Sequence, residues 1–401
     1  YFCNTTSGGF TVTLPASPTA GDVVGVSDYA KTFDTGSLVL GRNSEKIGGV
    51  AENATLSTEG IAVTLVYVDS TKGWIVTDSG LQSDSPTATY ITASGGNTTI
   101  TCGNFKTHIF TGPGTFCVSA IGNACGSNSV DYLVVAGGGS GGTSSPSPNG
   151  AAGGGAGGFR MSNGYCLPAP LTSPLAAPAS LPVSVQGYPI TVGAGGSAIC
   201  GPSDSNGNNG SDTIFSSITS TGGGYGSGNQ DAGPIPGDGG PGGSGGGTHQ
   251  NCAGTGNTPP VSPPQGNNGG GGATPSASGG GGAGAVGGCA GPNSPSSGGG
   301  PGGDGSFLDD TAIGPTAPSY GGPGPASSTR YFAGGGGGSN SPGRSPAGTN
   351  GSGGAGGGGA SSGTSGCAGT VNTGGGGGGS SAGGSSGAGG SGIVIIRYKF
   401  Q

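Results

Sequence analysis

Val130-Asp131-Tyr132-Leu133-Val134-Val135-Ala136 runs without a break into Gly137, and the glycine-rich stretch that follows ends with Gly392 running straight into Ile393-Val394-Ile395-Ile396-Arg397-Tyr398. Both borders are apolar strands fit for a core. Everything between them is mostly Gly, Ser, Ala, Pro, Asn and Thr. A disordered linker is not normally stitched at both ends to strands of this kind. The run is therefore read as a folded insertion, and 393–400 is expected beside 130–136 in one sheet.

Composition sets the competing readings. The 105 glycines and 30 prolines make up about a third of the 401 residues, and 7% of residues are charged. That share by itself suits a low-complexity or disordered chain. Disordered tracts are usually charged, however, whereas 137–392 holds no Lys, no Glu and only Arg160, Arg330 and Arg344 among basic residues. Collagen is excluded because Gly334 to Gly338 and Gly374 to Gly379 are unbroken glycine, with no triplet period. What remains is a bundle of polyproline-II-like helices made of glycine. Such a helix has about three residues per turn and no internal hydrogen bonds, so neighbouring helices must satisfy its N–H and C=O groups. Only a chain without Cβ atoms permits the close approach this needs.

The formal charge of −7 and a pI near 4.5 argue against binding nucleic acid through its phosphates. No apolar run is long enough to span a membrane. The chain starts at Tyr1-Phe2-Cys3, which reads as the middle of a strand and implies an upstream part. Nine cysteines, an odd number, leave at least one free or bonded to another chain, and an extracellular setting would suit disulfides among the rest. Their pairing is not readable from spacing.

Along the chain, 1–80 reads as an N-terminal β module, with Phe10, Val12 and Leu14 alternating and Val63, Leu65 and Tyr67 doing the same. The single Trp74 reads as core. A polar link over 81–87 leads to a second β domain, 88–136 with 392–401. Within it, Lys106 to Thr111 and Thr115 to Val118 flank Gly112-Pro113-Gly114 and are expected to form a hairpin. The insertion over 137–391 is punctuated. Tyr188, Ile190 and Val192 precede Gly193, Thr213 to Thr219 precede Gly222, and Thr329 to Ala333 precede Gly334, a degenerate repeat in which a β-prone segment feeds a glycine run.

Motifs for chemistry are weak. GxGxxG matches abound but arise from composition, and no GK[ST] follows them. Gly302-Gly303-Asp304-Gly305-Ser306 matches one fragment of a calcium nonapeptide repeat that requires tandem copies. His249 with Cys252 offers two metal ligands at most, and neither His108 nor His249 has a nucleophile or acid at a known spacing. No enzyme, metal or cofactor is expected. Five sequons, beginning Asn4, Asn53, Asn97, Asn209 and Asn350, matter only in a secreting eukaryote. The bulky groups of the insertion are different in kind. Phe307, Leu308, Asp309, Asp310, Tyr320, Arg330, Tyr331 and Arg344 are expected on turns of a rigid core, where binding residues concentrate.

Six stretches carry a resemblance: Phe10 to Pro15 with Ala20-Gly21-Asp22; Thr64 to Asp69 with Gly73-Trp74; Phe110 to Phe116; Asp131 to Gly139; Tyr188 to Gly196; and Gly390 to Tyr398. Through them nearly the whole chain resembles the glycine-rich tail-fibre and virion structural proteins of marine tailed phages, chiefly cyanophages. The Tyr132 and Ile393 motifs are specific for the glycine-rich domain and less so for phage, since bacterial surface proteins carry similar domains. The resemblance implies an all-β plus polyglycine-II fold: a β-sandwich-like domain closed by the C-terminal strand, with packed polyglycine/polyproline-II helices inserted in it. It further implies a homo-oligomer, trimer or filament, on the virion surface. This would attach to host cell-surface polysaccharide or an outer-membrane protein through loops, beside other fibre subunits. The alternative is a subunit of an extracellular filament or a virion decoration without receptor binding.

Overall fold

In the computed structural model the described residues are 1–78, 88–123, 125–145, 149–164, 172–229, 237–250, 252–272, 275–291, 298–309, 320–326, 329–341 and 348–401. Among them all regular structure is β, and no helix is present. The chain divides into two compact units, one of residues 1–91, 121–128 and 401, the other of 92–120 and 129–400.

The first unit holds β1 (Phe2–Cys3), β2 (Thr11–Thr13), β3 (Val23–Asp28), β4 (Leu38–Gly41), β5 (Ala54–Leu56), β6 (Ala62–Asp69) and β7 (Gly73–Asp78). They form a four-stranded sheet ordered β1-β3-β6-β7 and a three-stranded sheet β2-β4-β5. Alternation decides the buried face: Val24 and Val26 on β3, and Val63, Leu65 and Tyr67 on β6, turn inward. Trp74 is fully buried among Phe33, Leu38, Leu40 and Ile47, and its ring meets Tyr67 edge-on at 5.6 Å. Burying each such side chain contributes about 1.5–3 kcal/mol. Gly73 opens β7 at φ 69°, where a Cβ would lie 1.9 Å from the Lys46 carbonyl oxygen.

The second unit holds β8 (Thr92–Ser94), β9 (Thr98–Cys102), β10 (Phe105–Phe110), β11 (Gly114–Ala120), β12 (Ser129–Val135), β13 (Phe159–Ser162), β14 (Ala176–Ala177), β15 (Leu181–Pro182), β16 (Gln186–Thr191), β17 (Thr213–Phe215), β18 (Ile218–Ser220), β19 (Ser306–Asp309), β20 (Thr329–Phe332) and β21 (Ile393–Lys399). A seven-stranded sheet runs β14-β13-β12-β21-β10-β9, with β15 added on β12; a five-stranded sheet runs β18-β17-β16-β11-β8; β19 and β20 form a ribbon. No sheet closes on itself.

The strand after the glycine run lies antiparallel beside the strand before it, with Leu133 opposite Ile395 and Val135 opposite Ile393. On its other side β21 pairs with β10, Ile109 also facing Ile395. Both faces of these central strands are covered, which is why they read as unbroken apolar runs. One face presents Ile109, Leu133, Val135, Phe159, Met161 and Ile395 to Leu308 and Phe332. The other presents His108 and Tyr398 to the five-stranded sheet, where Phe116 lies 5.3 and 6.1 Å from them and 6.2 Å from Phe215.

That aromatic layer corrects the hairpin expected around Gly112-Pro113-Gly114. β10 and β11 belong to different sheets, and the turn carries the chain from one layer to the other. β10 already has β9 and β21 as partners, so β11 cannot join its edge. Stacking across buries Phe110 and Phe116 together on the inside. The hairpin that does form is β9–β10, turning at Gly103-Asn104.

The glycine run is ordered chiefly by backbone bonds, with side chains such as Ser339, whose Oγ accepts from the Ala151 N–H, adding to them. Ala151-Ala152-Gly153-Gly154-Gly155-Ala156-Gly157-Gly158 shows the rule. The N–H groups of Ala152, Gly155 and Gly158 donate to Ser227, Gly224 and Thr221; those of Gly153 and Ala156 to Ser278 and Gly281; those of Gly154 and Gly157 to Gly377 and Gly374. The carbonyls of the same row accept from three further rows: Ala152, Gly155 and Gly158 from Gly142, Gly139 and Ala136; Gly153 and Ala156 from Gly247 and Ser244; Ala151 and Gly154 from Ser339 and Gly336. Residues three apart face the same neighbour and successive residues face different ones, so the row is surrounded by six others. The row at 278–281 runs parallel to it and the rest antiparallel. A Cβ on Gly154 would lie 2.2 Å from the Gly139 oxygen, which is why the row holds nothing larger than Ala.

Candidate functional site

Ser306-Phe307-Leu308-Asp309 is short, with Phe307 and Leu308 apolar, and pairs antiparallel with Thr329-Arg330-Tyr331-Phe332, so Phe307 faces Tyr331 and Leu308 faces Arg330. The bulky groups expected on turns thus sit on a two-stranded ribbon. Phe307 and Tyr331 stack at a tilt, ring centroids 5.4 Å apart. Leu308, 6% exposed, joins Phe332 in the core under the seven-stranded sheet, and Asp309 and Tyr331 are buried as well. Tyr331 also exchanges both backbone bonds with Gly322. Gly324 packs so closely on its ring that a Cβ there would come within 2.0 Å of it.

Phe307, Tyr320 and Arg330 keep part of their surface in solvent. Tyr320 packs its ring against the core, and its hydroxyl lies 3.1 Å from Thr98 Oγ1. Ser306 is anchored through its hydroxyl, 2.6 Å from that of Ser173. The ribbon therefore brings Phe307, Leu308, Asp309, Arg330 and Tyr331 together. Asp310 and Arg344 lie outside the described residues. What such a surface offers is a ring face and a guanidinium on a rigid support, suited to contact and to directed hydrogen bonds.

The other candidates resolve differently. His249 is fully buried while Cys252 is exposed, so they share no surface site. Among the described residues no group of three His, Cys, Asp or Glu is placed to hold a metal ion. Asp304, in the calcium-like fragment, accepts the Ala355 N–H at 2.9 Å. The disulfides expected from composition do not form among the described cysteines: Cys3, Cys102, Cys117, Cys125, Cys200, Cys252, Cys289 and Cys367 are free thiols, and Cys166 lies outside the described residues. Burial raises the thiol pKa of Cys3, the one fully buried among them. No helix among the described residues is long and apolar enough to cross a membrane.

Two features escaped the sequence reading. The central row 151–158 was hidden because its three-residue period lies in N–H directions rather than in side-chain type. The second is a buried polar group, His108, whose Nδ1 lies 2.6 Å from the Gly95 carbonyl oxygen and whose Nε2 lies 3.2 Å from the Tyr398 hydroxyl. Its signal was available: Lys106, His108 and Phe110 share one face of a strand with two partners. Burial pushes the His108 imidazole below its usual pKa, and Lys106 nearby pushes the same way against the Gly95 bond. Burial raises Tyr398 to about 12, opposed by a bond from the Ala93 backbone.

A family model described as a glycine-rich domain matches residues 110–399. No curated protein matches the chain.

Proposed function

The chain belongs to the family of glycine-rich domains, and from that premise we propose that it is a rigid scaffold of a phage tail fibre or adhesin that attaches the virion to a host cell surface. The observation carrying this is the row 151–158 with its six hydrogen-bonded neighbours. Threefold periodicity with every bond made between rows is the arrangement of polyglycine-II helices, and we read the bundle as such. A lattice of glycine has almost no side chains with which to catalyse or recognise. Its asset is stiffness, and specificity falls to the groups it holds at its margin. On the ribbon those groups are Phe307, Arg330 and Tyr320, supported from below by Leu308, Asp309 and Tyr331; Asp310 and Arg344 complete the proposed set. An aromatic face stacks on sugars, and a guanidinium fixes orientation on hydroxyl or carboxylate groups. The partner class is surface polysaccharide or an outer-membrane protein, with the chain at the virion surface as a homo-oligomer beside other fibre subunits.

The burial of Leu308, Asp309 and Tyr331 favours a second reading, a filament or decoration subunit in which the ribbon only closes the bundle. Adsorption of the labelled chain to cyanobacterial cells separates the two. Under the attachment reading the chain binds, and Phe307→Ser with Arg330→Ala abolishes binding while the melting temperature is kept. A chain that binds no cell and instead polymerises supports the filament.

A further inference from the structure

We infer that His108 is an acid-sensitive clasp between the two sheets of the second unit. The seven-stranded sheet contains the strand that closes the glycine run, so what holds its outer face matters to the whole unit. On that face a polar relay crosses a layer of rings and aliphatic side chains. His108 on β10 donates through Nδ1 to the Gly95 carbonyl, which lies just beyond β8 of the opposite sheet. Its Nε2 then accepts from the hydroxyl of Tyr398 on β21, which the Ala93 backbone of β8 also bonds. The imidazole stacks on the Tyr398 ring at 5.7 Å and 16° and meets Phe116 edge-on. Only 2% of it is exposed.

In the neutral imidazole every proton has a place. Adding one proton puts a second N–H on Nε2, facing a hydroxyl that already spends its own proton there. The Tyr398 O–H must turn away into a layer of rings, and a positive charge is left without water. The groups facing His108 do not rescue it. β10 contributes Lys106, a like charge; β21 contributes Tyr398; Tyr132 of β12 lies two strands over in the same row; β16 contributes Tyr188; β9, β11 and β17 contribute Thr99, Phe116 and Phe215. Protonation therefore favours a state in which the sheets part and the imidazole meets water. The bonds of row 151–158 run between backbone groups outside this layer and should hold.

Amide hydrogen exchange on the intact chain at about pH 7 and about pH 4.5, corrected for intrinsic rates, tests this. At the lower pH the amides of β11 and β16 should exchange about tenfold faster or more, while those of Gly154 and Gly336 keep their protection. His108→Gln, which cannot acquire the charge, should lose that acid response. Unchanged protection of β11 and β16 at low pH, or the same acid response in His108→Gln, overturns the inference. Should that variant fail to fold, the wild-type chain still decides. The chain has two histidines. An NMR titration showing His108 protonating at or above the ordinary histidine value, with the sheets intact, refutes the clasp.

Discussion

Replacing Gly336 by Ala tests the packing of the glycine rows at one atom. The new Cβ would lie 2.1 Å from the carbonyl oxygen of Gly377 and 2.6 Å from its carbon, where ordinary contact begins at 3.4 Å. The row 374–379 must therefore retreat by about 1 Å, since the neighbour offered is backbone and cannot swing aside. That row is tied here by Gly376 N–H to Gly334 O at 2.9 Å, Gly379 N–H to Gly337 O at 2.9 Å, and Gly154 N–H to Gly377 O at 2.8 Å. Losing two or three such bonds at about 0.5–1.5 kcal/mol each, with about 1–3 kcal/mol of overpacking, gives roughly 2–7.5 kcal/mol of destabilisation. At about 2–4 °C per kcal/mol the melting transition should fall by roughly 4–30 °C. Gly271→Ala is the matched control, because its Cβ would meet only Cys289 Sγ, at 3.7 Å. There the reduced entropy of the unfolded chain should leave stability unchanged or raise it by up to about 1 kcal/mol. Differential scanning calorimetry of both variants reads the contrast. If Gly336→Ala melts together with Gly271→Ala, the rows are not packed as described.

Two further outcomes follow from the sheets. Deleting 392–401 removes β21 from between β12 and β10, opening two apolar edges at once, and the product should aggregate on size-exclusion chromatography; a soluble, folded monomer would count against the closing role. In the first unit, burial raises the Asp28 pKa, but bonds from the backbone of Gly60, Phe33, Thr32 and Lys31 outweigh it and the net value is lowered. A lowered folded value means stabilisation that is present above the unfolded pKa and lost as pH falls through the folded one. The denaturation midpoint reported by Trp74 fluorescence should thus drop below about pH 4, and Asp28→Asn should flatten that dependence. An identical acid limb in the variant would assign the loss elsewhere.

How much of this was legible depended on where the information lies. The apolar borders of the glycine run announced central strands because a strand covered on both faces must be apolar at every position. Their pairing followed from chain continuity. The turn Gly112-Pro113-Gly114 was misread because the same residues serve a hairpin and a crossing between layers. The choice rests on β21, which lies far away in sequence. Phe307 and Leu308 were expected on a turn because they open a stretch read as a polar loop between glycine runs, yet pairing with β20 buries Leu308 and Asp309. The disulfides expected of the cysteines did not form among the described residues, because bridging depends on spatial proximity that cysteine count and spacing do not carry. Glycine rows hide their order most completely, since residues without side chains carry no amphipathic period.

Residue-resolved amide exchange along 151–158 bears most directly on the central claim that the glycine run is a hydrogen-bonded bundle. Seven consecutive N–H groups, from Ala152 to Gly158, donate to carbonyls of three different rows. All seven should therefore be protected together, with opening free energies near that of global unfolding, about 5–15 kcal/mol for an ordinary domain. A strand would protect its N–H groups alternately unless both its edges were paired, and a disordered glycine tract would protect none. Exchange of these seven amides at the intrinsic rate of an unstructured peptide would contradict the account.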